Sequence, residues 1–246
     1  MSVRLLGLDF ADLDASAAAA LVAQQPAGAP FRYVVTPNAD HLVRLARHPE
    51  LDAAYAGAWL RLLDSRVVAR AARLLGLAVP AVAPGSDVTA LLLAECLKPR
   101  ERVTIVGLRP ARLPELVRRY RLEAVAHYDP PMGFENDSET FRAAIAFVLA
   151  HPARFIFLAV GSPRQEMLAA AIEATGQARG VGLCVGASLD FLSGAIPRAP
   201  AWMCGAGMEW LHRLASDPHR LAWRYLVQDP AVFGLLLGEW RRLHAG

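Results

Sequence analysis

Three short stretches hold side chains that could do chemistry together. "VVTPN" ends an apolar run in Thr36, Pro37 and Asn38; "LLDSR" places Asp64 after another; "VGSPRQE" places Gly161, Ser162 and Gln165 after a third. Thr36 suits a helix N-cap and Pro37 the first helical turn. Capping does not require Asn38, which at a strand's carboxyl end can donate and accept toward a sugar or phosphate. The helix start also offers free N–H groups to an anion. Ser162 to Gln165 fits a Ser-x-x-Gln capping box, or the same ligand cleft used a second time. Asp64 either caps the helix that starts at Ser65 or serves as a carboxylate general base on the cleft floor.

The elements that must position these groups follow from pattern. "RYVVT" (32–36), "WLRLLD" (59–64), "RVTIVG" (102–107), "LEAVAHY" (122–128), "RFIFLAVG" (154–161) and "GLCVGA" (182–187) read as strands, with helical patterns between them. That alternation predicts an α/β fold with a mainly parallel sheet flanked by helices. Ligands of such sheets bind beyond the carboxyl ends of the strands. After about residue 196 the pattern turns helical. Asp217-Pro218 and Asp229-Pro230 each read as an N-cap acid followed by proline, dividing a tail that carries Trp202, Trp210, Trp223 and Trp240. The chain divides into a catalytic domain over 1–196 and a helical appendage over 197–246.

With 246 residues, 54% of them hydrophobic, the chain can bury a full core. A net charge of +3 does not argue for nucleic acid. The 25 Arg against the single Lys98 track an Ala-rich composition, so one arginine is weak evidence for phosphate. Cys96, Cys184 and Cys204 lack ligand or disulfide spacing, which predicts reduced thiols, no zinc and a cytoplasmic setting. No signal peptide or run of about 18 apolar residues occurs, so membrane attachment would be peripheral. "DLD" (12–14) matches the Asp-x-Asp of metal-dependent glycosyltransferases, but reads better as a helix cap. "VGLRP" (106–110) lacks Gly-x-Gly-x-x-Gly, which counts against a nucleotide-binding oxidoreductase. Arg220 and Arg224 share a helix face and Arg213 lies one helix earlier. A solvated face is the default; Arg, Trp and Leu in short amphipathic helices are also the composition of a segment at a lipid interface.

Taken in order, "VVTPNADHLVRLARHPELDAAYAGAWLRLLDS", "AARLLG", "GSPRQE", "VGASLDFLSGAIPRAPAWM" and "GMEWLHRLASDPHRLAWRYL" resemble the WecG/TagA/CpsF family of bacterial glycosyltransferases over roughly residues 32–228. The resemblance implies a Rossmann-like, metal-independent, inverting hexosyl- or N-acetylhexosaminyltransferase needing no cofactor. It would move a sugar from a UDP-sugar to a polyprenyl-diphosphate-linked sugar, peripherally bound at the cytoplasmic membrane face. Products of such enzymes feed teichoic acid, common antigen, capsule or exopolysaccharide, and family members can form homo-oligomers. Thr36 and Asn38 match the family's substrate site, Asp64 its proposed base, and Gln165 the active-site Gln. Gly161, Ser162 and Asp190 join the substrate-binding set. Arg213, Arg220 and Arg224 match appendage positions that meet the acceptor diphosphate, with the appendage on the membrane surface.

The chain departs from the family in places. Most members read Pro-Asp-Gly where this chain has Leu63-Asp64-Ser65, and many carry Arg where Val82 stands. These departures keep a non-catalytic membrane-associated partner of a polysaccharide assembly complex as an alternative. "HYDPPMGFE" (127–135) resembles exopolysaccharide branches, including xanthan-type glucosyltransferases, so N-acetylmannosamine is not the default donor.

Overall fold

The computed structural model describes residues 1–194, 203 and 229–245. Six strands form one parallel sheet: β3 (Arg32–Val35), β4 (Leu60–Arg61), β5 (Arg102–Gly107), β6 (Ala124–Tyr128), β7 (Phe155–Ala159) and β8 (Val181–Cys184), in the order β4-β3-β8-β7-β5-β6. Each apolar run read from the sequence as a strand is one of these six. A separate antiparallel hairpin precedes them, β1 (Ser2–Leu5) and β2 (Leu8–Ala11), turning at Leu6-Gly7. The sequence reading had no strand there. Four-residue strands around a tight turn leave too short an alternation to stand out.

Both faces of the sheet are covered, which is why its central strands are continuously apolar rather than alternating. Phe155, Ile156, Phe157 and Leu158 of β7 are all fully buried. Successive side chains point to opposite faces. Phe155 and Phe157 pack with α1 (Ala15–Ala23), α5 (Gly85–Leu91), α6 (Leu113–Tyr120) and α9 (Ser188–Leu192). Ile156 and Leu158 pack with α3 (Asp52–Ala56), α7 (Ser138–Ala150) and α8 (Arg164–Ala174).

Adjacent strands β3 and β8 send their chains to opposite faces. β3 continues through α2 (Ala39–Arg47) to α3, which packs with α8; β8 continues into α9, which packs with α5. Such a divergence opens a crevice at the carboxyl ends of the two strands.

A third apolar cluster joins the hairpin, α2, α4 (Arg66–Leu74) and the last helix, α10 (Ala231–His244). Val232 and Leu236 of α10 are buried against Leu5, Phe10, Leu42, Val43 and Val68. Glu239 accepts a bond from the Leu6 amide at 2.6 Å, fastening α10 to the hairpin turn. The end of the 197–246 segment is thus anchored in the body of the protein. α10 starts at Ala231 with Pro230, not Asp229, at the cap position, one residue later than the sequence pattern placed it. No helix among the described residues is long and apolar enough to cross a membrane. Asp14 caps α1 through the Ala17 amide and Asp12 accepts from the Ala81 amide, so both acids of "DLD" have structural jobs. Cys96 and Cys184 are free thiols.

Candidate active site

Seven of the residues singled out in the sequence lie just past the carboxyl ends of four neighbouring strands. Thr36 and Asn38 follow β3, Asp64 follows β4, Gly161, Ser162 and Gln165 follow β7, and Asp190 follows β8 within the first turn of α9. Arg213, Arg220 and Arg224 lie outside the described residues.

Thr36 does not cap a helix. It is 8% exposed, and its hydroxyl donates to the Cys184 carbonyl at 3.2 Å, tying the end of β3 to the end of β8. The cap falls two residues later. Asn38 has extended backbone, its side-chain oxygen accepts from the His41 amide at 3.3 Å, and α2 begins at Ala39, so Pro37 precedes the cap. Capping uses the oxygen of Asn38; the nitrogen end carries two donors.

Asp64 does not cap α4 either, because Ser65 fills that role through the Val68 amide at 3.2 Å. The Asp64 backbone amide donates to the Pro37 carbonyl at 2.9 Å, which ties the segment after β4 to that after β3. Its carboxylate accepts from the Gly85 amide at 3.1 Å. Gly85 also approaches Thr36: a methyl group there would lie 2.8 Å from the Thr36 hydroxyl oxygen. One glycine at the start of α5 therefore fixes the distance between the candidate base and the end of β3. Val82 pairs in parallel with Leu63 and packs into the third cluster. Its apolar side chain suits that placement.

No capping box forms at Ser162. The helix N-cap is Pro163 without a side-chain bond, and Gly161 supplies the turn with a left-handed φ of +80°. The Ser162 hydroxyl instead accepts from Arg44 at 2.9 Å and lies 3.3 Å from the Tyr55 hydroxyl. Arg44 in turn pairs with Asp40 at 2.6 Å across one turn of α2. Gln165, 2% exposed, accepts from the Gly186 amide at 2.8 Å and donates to Glu166 at 2.8 Å.

Glu166 is fully buried, and that burial raises its carboxyl above the ordinary range against the pull of hydrogen bonds from Gln165, the backbone and Ser162 and of the Arg44 charge. Burial likewise pushes up the Tyr55 phenol and the Cys184 thiol, with Glu166 adding to both. All three are buried, where each hydrogen bond and charge counts for more than in water.

Gly85, Arg44, Tyr55 and Glu166 carry much of this geometry and had no role in the sequence reading. The Asp40–Arg44 spacing was a usable signal for a helix-surface pair. The tie from Gly85 to Asp64 spans 21 residues and had no local signature.

The arrangement can position a sugar between an ionisable carboxylate and a set of neutral donors. The sequence profile of the Glycosyl transferase WecG/TagA/CpsF family matches residues 3–246. A protein of Bacillus spizizenii, N-acetylglucosaminyldiphosphoundecaprenol N-acetyl-beta-D-mannosaminyltransferase, is 27% identical over 214 residues, covering 85% of this chain and 80% of its own length. The chain belongs to the WecG/TagA/CpsF family of glycosyl transferases.

Proposed function

We propose that the protein transfers a sugar from a UDP-sugar to a polyprenyl-diphosphate-linked sugar, with inversion at the anomeric carbon and without a metal ion. The observation that carries this reading is the Asp64 carboxylate, held by Gly85 beside Thr36 at the mouth of the β3/β8 crevice, in a chain of this family. The activity named for the Bacillus spizizenii relative suggests the acceptor class, a sugar on undecaprenyl diphosphate.

In this mechanism Asp64 takes the proton from the acceptor hydroxyl. The oxygen attacks the anomeric carbon from the face opposite UDP, and the bond to the diphosphate breaks. A positioned base is worth about 10²–10⁴ in rate. Thr36, Asn38 and Gln165 hold the sugar through neutral hydrogen bonds. The helix start at Ser162 stabilises the leaving UDP through its free backbone N–H groups, and Asp190 belongs to the substrate-binding set.

The 197–246 segment, fixed to the body by α10, delivers the lipid acceptor. Arg213, Arg220 and Arg224 suit a diphosphate because guanidinium donates in a planar fork, and tryptophans anchor at headgroup depth. The protein would work on the cytoplasmic membrane face as a peripheral enzyme.

Purified protein is assayed with UDP-N-acetylmannosamine, UDP-glucose and other UDP-sugars against short-chain polyprenyl-diphosphate sugars, with and without EDTA. Transfer from one donor, unchanged by EDTA, supports the reading and names the sugar. Loss of transfer in EDTA overturns metal independence. UDP release without acceptor, and no transfer to any acceptor, overturns the acceptor class.

A further inference from the structure

Resting on the transferase reading above, we infer that Glu166 is a positioning residue that fixes the side-chain amide of Gln165, so that Gln165 meets substrate with an N–H and not with its carbonyl. The orientation follows from hydrogen-bond chemistry. The Gly186 backbone amide lies 2.8 Å from the Gln165 side chain. A backbone N–H can only donate, so the atom facing it is the amide oxygen. That leaves Nε2 toward Glu166 Oε1, also at 2.8 Å. One acceptor site and one donor are thereby occupied, and the second Nε2 hydrogen is the donor that remains.

Glu166 is built for this role. It is fully buried, its Oε1 accepts from Gln165, and Ser162 lies near its carboxyl. Burial raises its carboxyl, which favours the neutral acid, with Oε1 accepting as a carbonyl oxygen. A neutral acid at this place can be matched in shape and polarity by a glutamine. The segment on the other side is held as well: Arg44 donates to Ser162, and Arg44 is itself braced by Asp40. The amide of Gln165 is therefore gripped from β8 and from its own helix. The ligand chemistry this selects is an acceptor oxygen on a neutral sugar, such as an N-acyl carbonyl or a hydroxyl. A free ammonium sugar would present like donors to a donor.

The test uses the full chain labelled with nitrogen-15, with the Gln165 side-chain amide signal assigned by its loss in Gln165→Ala. Slow hydrogen exchange of that amide is expected in the wild type and in Glu166→Gln, and fast exchange in Glu166→Met. In the transfer assay, kcat/KM is expected to fall about 10- to 100-fold in Glu166→Met, the range for a buried donor left unpaired, and to stay within about threefold in Glu166→Gln. In a Gln165→Ala background, adding Glu166→Met should change kcat/KM by less than about twofold, because coupled residues do not add. Should Glu166→Met fail to fold, Glu166→Asp withdraws the same acceptor by one methylene. An unprotected Gln165 amide in the wild type, or an equal cost of Glu166→Met with and without Gln165, overturns the inference. If the wild type transfers no sugar, the transferase reading fails, and amide exchange alone decides the Glu166–Gln165 contact.

Discussion

The Asp64 carboxylate and the Gly85 amide lie 3.1 Å apart, across 21 residues of sequence, and Gly85 at the same time closes on the Thr36 hydroxyl. This one glycine couples the candidate base to the end of β3. Alanine there would place its methyl group 2.8 Å from the Thr36 oxygen, with the Thr36 methyl and Cβ at 3.3 Å. Thr36 is buried and bonded to Cys184, so it cannot turn away without breaking that bond. Gly85→Ala is expected to cost about 1–3 kcal/mol of stability, the usual range for overpacking, and to lower kcat at least tenfold, since displacements of about 1 Å cost of that order or more. Thermal unfolding and steady-state kinetics on the same preparation check both.

The anchoring of α10 predicts a separation between stability and chemistry. Leu236 is fully buried between the hairpin, α2 and α4, in a cluster that meets the site at Leu63, the residue before Asp64. Leu236→Ala should destabilise the protein by about 2–5 kcal/mol while lowering the kcat of the folded fraction far less than Asp64→Asn does, because Leu236 carries no group that can move a proton. Denaturant titration and an assay well below the unfolding midpoint check this. Deleting the whole 197–246 segment would strip Val232 and Leu236 from that cluster. Charge reversal at Arg220 is the cleaner probe of acceptor engagement, with loss of binding to anionic vesicles as its readout.

Glu166 predicts a specific pH dependence of stability. Its folded carboxyl is raised above the ordinary value of 4.5, chiefly by burial, so the native state keeps a proton that the unfolded chain releases. The stabilisation it gives is complete below about 4.5 and is lost as pH rises toward the raised native value. Within that window the slope is about 1.4 kcal/mol per pH unit for one proton. Glu166→Gln has no such proton. The unfolding free energy of the wild type should therefore fall relative to Glu166→Gln as pH increases above 4.5. Parallel curves for the two proteins would place an ionised carboxylate at this site.

The Arg154–Glu101 pair holds the opposite end of the sheet. Their side chains are 8% and 16% exposed, and they meet at 2.7 Å. Arg154 also donates to the carbonyls of Ala23 and Cys96, joining the end of α1 to the segment before β5. Glu101→Leu leaves the guanidinium buried without its carboxylate and should cost about 3–5 kcal/mol. Chemical denaturation gives the value, and unchanged donor-sugar binding by the folded protein would confirm that this end is structural.

The sheet was legible because its central strands are buried on both faces. "RFIFLAVG" and "RVTIVG" must be apolar throughout to sit between two helical layers, and such runs stand out. The hairpin was not legible, since "SVRL" and "LDFA" are short and half exposed. At the site, Thr36, Asn38, Asp64 and Gln165 could be picked out by residue type at strand ends. Their partners could not. Thr36 bonds to Cys184 over 148 positions, and Arg44 to Ser162 over 118. Local capping rules assigned Thr36, Ser162 and Asp64 to helix starts; the structure gives the caps after β3 and β4 to Asn38 and Ser65 and leaves α8 with no side-chain cap, and these long-range bonds turn Thr36 and Ser162 to cross-strand ties. The Gly85 contact does the same for Asp64.

The measurement that bears most directly on the proposed reaction is transfer by wild type and Asp64→Asn in parallel, in EDTA, from the productive UDP-sugar to a short-chain polyprenyl-diphosphate acceptor. Asparagine keeps the shape at Asp64 and an oxygen for the Gly85 amide but cannot take the proton. A fall in kcat of about 10²–10⁴, with UDP-sugar affinity unchanged, is expected of a general base held in place by Gly85. A loss of less than about tenfold would contradict it and remove Asp64 from the chemistry.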